Sequence, residues 1–99
     1  MITYEQFLAD TEVEDIRVLN LLSQGQRIQF NDLAQATAMG ERVARLEDAG
    51  LVLRWTHSRE RVDGAIWHGF DGLVDPVAAA YLARAASERV VLSRNPLPA

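Results

Sequence analysis

Between Asn31 and Leu53 the chain reads NDLAQATAMGERVARLEDAGLVL, and its hydrophobic period changes once, at a glycine. Asn31-Asp32 are capping-type residues, and Leu33 and Ala34 follow as an apolar pair. Val43, Leu46 and Ala49 then recur at helical spacing. Gly50 stands where a helix stops, and Leu51-Val52-Leu53 is a β-type run. The stretch predicts two short helices and then a strand. A chain that passes from a helical stripe to a strand within one glycine must fold as a mixture of helix and sheet.

The flanks extend this pattern. Thr3 and Gln6 have the spacing of a capping box, which predicts a short helix through Leu8 or Ala9. Thr11 reads as a second N-cap, with Glu12 and Glu14 in the first turn, where the helix dipole favours acids. Val13, Ile16, Val18 or Leu19, and Leu22 continue at helical spacing up to Gly25. Arg27-Ile28-Gln29-Phe30 alternates polar and apolar and predicts a very short strand. Leu51 to His57 predicts a second strand and Ala65 to Phe70 a third. The polar run from Ser58 to Gly64, ending in Asp-Gly, reads as the hairpin tip. A hairpin centred near residue 61 sets Trp55 across from Trp67. Asp71-Gly72 reads as a break, and Asp75-Pro76 as an N-cap with proline at N1. An alanine-rich helix over 75–92 follows, and 95–99 reads as a tail.

The helix, turn, helix, glycine, strand order resembles the core of a winged helix-turn-helix domain. The phrase Arg45-Leu46-Glu47-Asp48-Ala49-Gly50-Leu51-Val52 is similar to that family's junction between recognition helix and wing. The resemblance implies an α+β, mostly α fold: N-terminal helices, a short first strand, a two-stranded wing and a C-terminal helix. It implies one domain over 1–94, with its core in 12–70. Only Gln35 to Arg45 lies between the two helical phrases, so the recognition helix is one turn, about four residues, shorter than the family's usual one. In related small regulators a helix after the wing often makes the dimer, which implies a homodimer through the alanine-rich helix. That helix folding back on its own domain is the competing expectation.

At 99 residues there is room for one core. The absence of cysteine excludes disulfides and thiolate metal sites. No apolar run reaches the ~18 residues that span a membrane, and Glu5 and Asp10 stand where a secretory leader would be basic. The expectation is a cytoplasmic protein without membrane partners. Net charge is −4, unevenly spread. Residues 1–40 carry six acids against two arginines, whereas 41–62 carry five arginines against four acids. An anionic partner would be met by the middle third.

In a winged helix the recognition helix enters the major groove and the wing lies over backbone or minor groove. The resemblance therefore implies base reading by Arg42 or Arg45, with Glu41 and Gln35 as polar neighbours. It implies phosphate contact by Arg59 and Arg61 at the tip, with Arg54 on the wing and Arg27 nearby. Each arginine has a plainer role open to it as a solvated side chain or a salt-bridge partner, as for the i,i+4 pair Glu41 and Arg45. Glu14-Asp15 and Glu47-Asp48 read as solvated charge. Serines 23, 58, 87 and 93 lack a nucleophile's context, the glycines form no phosphate loop, and His57 with His68 and Asp63 or Asp71 lack metal-ligand spacing on a rigid element. The expectation is no enzyme, no metal and no cofactor. The function implied is a small transcriptional regulator binding duplex DNA as a dimer. The alternative is a protein-interaction module, of the kind a phage or mobile element would dock on a host complex, with the acidic first helices as its working face.

Overall fold

The computed structural model describes residues 2–88. Its elements in chain order are α1 (Tyr4–Asp10), α2 (Val13–Ser23), β1 (Ile28–Phe30), α3 (Leu33–Asp48), β2 (Val52–Val62), β3 (Ala65–Val74) and α4 (Pro76–Ser87). The fold is α+β, with the three strands in one antiparallel sheet of order β1-β3-β2.

The caps fall close to where local chemistry places them. Thr3 and Gln6 close a capping box on α1, Asp32 caps α3, and Asp75 accepts from Val77 and Ala78 ahead of Pro76. Gly25 and Gly50 follow α2 and α3 with positive φ. Thr11 differs from expectation: it is the C-cap of α1, and α2 starts from Glu12 with no side-chain cap.

The largest difference lies in the opening stretch. Residues 33–48 form one continuous helix of 16 residues where two short helices and a turn were expected. Nothing between Ala34 and Val43 forces a break, since the segment holds alanine, glutamine, methionine and glutamate, all good helix formers. The lone Gly40 costs about 1 kcal/mol in a helix interior without ending it. A Cβ at Gly40 would lie 3.7 Å from Phe70, so the helix axis passes close over the sheet there.

The hairpin also differs. β2 runs unbroken to Val62, and only Asp63 and Gly64 turn, with φ of 52° and 81°. Two consecutive positive φ values make a type I′ turn, whose twist matches the strands so that pairing continues to its edge. The register becomes Trp55 opposite Gly72 and Trp67 opposite Glu60, and the expected tryptophan pair is absent. Because side chains alternate, this shift places the two indoles on opposite faces. Asp71-Gly72 is no break, and β3 continues to Val74.

α2 and α3 pack on the sheet, α4 packs on α2, and α1 packs on α4. Phe7, Leu19, Val43, Val52 and Phe70 are fully buried, joined by Ile16, Leu22, Leu46, Val74 and Leu82. The apolar face of α4 (Ala78, Leu82, Ala85) is buried within the chain. Tyr81 donates to the Ile2 carbonyl at 2.7 Å, and its ring lies 5.6 Å from those of Tyr4 and Phe7. Val90 and the expected end of this helix near residue 92, like the tail, lie outside the described residues.

Candidate interaction surface

β1 pairs only with His68, Gly69 and Phe70, so the outer part of the hairpin is a two-stranded arm. The radius of gyration, 14.6 Å, exceeds the ~13 Å of a compact chain of about 100 residues. Side-chain alternation sorts the arm. Trp55, His57, Arg59 and Arg61 share the helix-side face with Ile66, His68, Phe70 and Gly72. Arg54, Thr56, Ser58 and Glu60 share the open face with Trp67, Gly69, Asp71 and Leu73.

The seven residues singled out by sequence are not brought together. Arg42 turns toward α2, where its Nη1 donates to Asp15 at 2.5 Å with both side chains about three-quarters buried. Asp15 is therefore a partner rather than solvated charge. Arg27 crosses the open face to donate to Asp71 at 2.9 Å. Its side chain lies over Gly69, where a Cβ would fall 2.9 Å from Arg27 Cδ, so glycine makes room for the crossing. Gln35 and Arg45 are exposed on α3. No ion pair joins Glu41 to Arg45 among the described residues, and Arg45, Arg54, Arg59 and Arg61 likewise make none. Arg59 and Arg61 share a face, and Arg54 lies on the other.

Sequence reasoning singled out Arg59 and weighed His68, but neither of the apolar residues that gather beside them at the arm. Leu33, the first residue of α3, is 70% exposed, and Ile66 is 44% exposed. With Asn31, Arg59 and buried His68 they line a shallow hollow. The usable signal was the Asp-Gly turn, which fixes Ile66 opposite Arg61 and therefore on the helix-side face. Beside the hollow, His57 stacks on Phe70 with ring centroids 4.7 Å apart and planes 3° from parallel. Its Nε2 lies 2.9 Å from His68 Nδ1, so one of the two nitrogens carries the shared proton. The histidines are diagonal neighbours, as their separation in sequence suggested. Among the described residues no three His, Cys, Asp or Glu side chains converge as a metal site. Glu47 accepts from Trp55 Nε1 at 3.3 Å, tying the end of α3 to the base of the hairpin.

A second polar cluster lies on the far side of the body. Tyr4 Oη donates to Glu88 at 3.0 Å, Arg84 donates to the other Glu88 oxygen at 3.2 Å, and the Arg84 guanidinium sits 4.0 Å over the Tyr4 ring. The hydrogen bond from Arg84, then that from Tyr4, holds the Glu88 carboxyl below its ordinary range. Burial, helped by Glu88, raises the Tyr4 phenol. The groups are fully partnered and join α1 to α4.

No protein-family model, curated protein or solved structure matches this chain. Among the described residues no helix is long and apolar enough to cross a membrane.

Proposed function

We propose that this protein is a non-catalytic binding module that docks on another protein through the root of its hairpin arm. The observation that carries this reading is Leu33 standing 70% exposed beside Ile66, with Arg59 at the rim of the hollow they line. An exposed apolar pair rimmed by a guanidinium suits a protein surface, where apolar anchors and arginine dominate binding energy. It suits a phosphate backbone poorly.

The winged-helix resemblance bears on the same reading. The strand order β1-β3-β2, with a helix leading into the hairpin, fits that arrangement. The continuous α3 lacks the turn that would set a separate recognition helix, and Arg42 is held by Asp15. The exposed side of α3 instead carries Ala34, Thr37, Ala38, Glu41 and Asp48 beside Arg45.

Duplex DNA is the second reading, favoured by the four guanidiniums of Arg45, Arg54, Arg59 and Arg61 that make no ion pair among the described residues. The two separate in one set of binding assays. On the protein reading, Leu33→Asp with Ile66→Asp abolishes recovery of a specific cellular partner that the wild type retains. Random-sequence duplex at low salt, where electrostatic binding is strongest, is not retarded. Retardation of duplex by the wild type, lost in Arg59→Ala with Arg61→Ala, would overturn the protein reading in favour of DNA.

A further inference from the structure

β2 is the outer strand of the sheet, and from Leu53 to Val62 every residue except Trp55 is exposed. The Asp63-Gly64 turn is closed by Val62 opposite Ala65, and such a turn makes its flanking pair a hydrogen-bonded one. Alternation then directs the backbone groups of Thr56, Ser58, Glu60 and Val62 toward β3. Those of Trp55, His57, Arg59 and Arg61 point to the open edge. A row of unpaired donors and acceptors on a long strand without proline is a template for another strand.

We infer that the occupant is a second copy of this chain, pairing β2 with β2 antiparallel about a two-fold axis at His57. The charge order of the strand selects both partner and register. Centred on His57, Arg54 of one copy opposes Glu60 of the other, twice per dimer, on the open face of the sheet. Arg59 meets Trp55 of the other copy on the helix side, next to Glu47, which accepts from that indole. Opposed unlike charges and a cation over an aromatic ring both stabilise cross-strand pairs. No neighbouring register keeps the opposed charges. Centring on Arg59 sets Arg59 against itself, and centring on Glu60 sets Glu60 against itself and Arg59 against Arg61. Centring on Thr56 or Ser58 opposes no unlike charges. Arg54, Glu60 and Arg59 form no ion pair among the described residues within one copy, so all remain available. The dimer continues the sheet to six strands and does not depend on the docking site proposed above.

The chain has no cysteine, which makes cross-linking clean. Under mild oxidation an equimolar mixture of Thr56→Cys and Ser58→Cys proteins forms a covalent dimer, because these positions oppose each other only in the His57-centred register. Each variant alone stays monomeric on a denaturing gel. In sedimentation equilibrium Arg54→Glu weakens the wild-type dimer by at least about tenfold, and adding Glu60→Arg in the same chain restores it. Circular dichroism of Arg54→Glu matches the wild type, which separates loss of pairing from loss of fold. A wild type monomeric at ~100 μM overturns the inference, and so does cross-linking of Ser58→Cys by itself, which reports a different register.

Discussion

The inner and outer halves of the hairpin are one pair of strands, yet they are held by different means. The inner half carries Val52, Phe70 and Val74, each at most 5% exposed, under α2, α3 and α4. The outer half carries Val62 and Ile66 above 40% exposed, with charged residues on both faces. The inner half is stabilised by removing apolar area from water. The outer half, where only Ala65 and Trp67 are even half-buried, relies mainly on backbone pairing and a two-residue turn. Strands extended beyond the body in this way place side chains where a partner can reach them, while the chemistry of folding stays at the base.

The comparison can be broken most forcefully in the body. Phe7 is fully buried against Tyr81 and the core, so Phe7→Ala is expected to cost about 3–5 kcal/mol. That is a large part of the ~5–15 kcal/mol of a whole domain, and urea denaturation measures it. A middle case sharpens the contrast between arginines. Arg42→Ala leaves Asp15 partly buried without its cation and is expected to cost about 1 kcal/mol. Arg61→Ala on the arm is expected to stay within ~0.5 kcal/mol of wild type. Equal losses would mean that the arm contributes to the core. The smallest effect belongs to the clamp between α1 and α4. The Glu88 carboxyl is lowered in the fold, so its contribution is complete above the ordinary carboxylate range and is lost as pH falls through its lowered value. Stability measured against pH in acid should therefore fall less steeply in Glu88→Gln than in wild type.

Much of the local structure is legible from residue chemistry. The box at Thr3 and Gln6, the cap at Asp75-Pro76 and the stop at Gly50 are interactions within a few residues, which adjacent side chains decide. Ile28 and Phe30 are half-buried in the short strand that their alternation suggested. The continuity of residues 33–48 is itself local, since a lone glycine does not end a run of helix formers, but the other misjudged features share one cause. Whether Ser58 to Val62 is loop or strand depends on β3 opposite. Asp15 and Arg42 are 27 residues apart, so neither announces the other. Leu33 resembled a core residue by type, and only its place at the first turn of α3 leaves it in water.

The sequence by itself determined the starts of α1, α3 and α4, the glycines that follow α2 and α3, and that one short and two longer strands exist. Capping, dipole and turn preferences act over three or four residues and need no distant partner. Tertiary structure decided the hairpin's length and faces and which guanidiniums remain available. Each of those outcomes is set by a neighbour far along the chain: a strand pairs through its backbone whatever its side chains, and a charge is neutralised only when folding brings its counterion within reach.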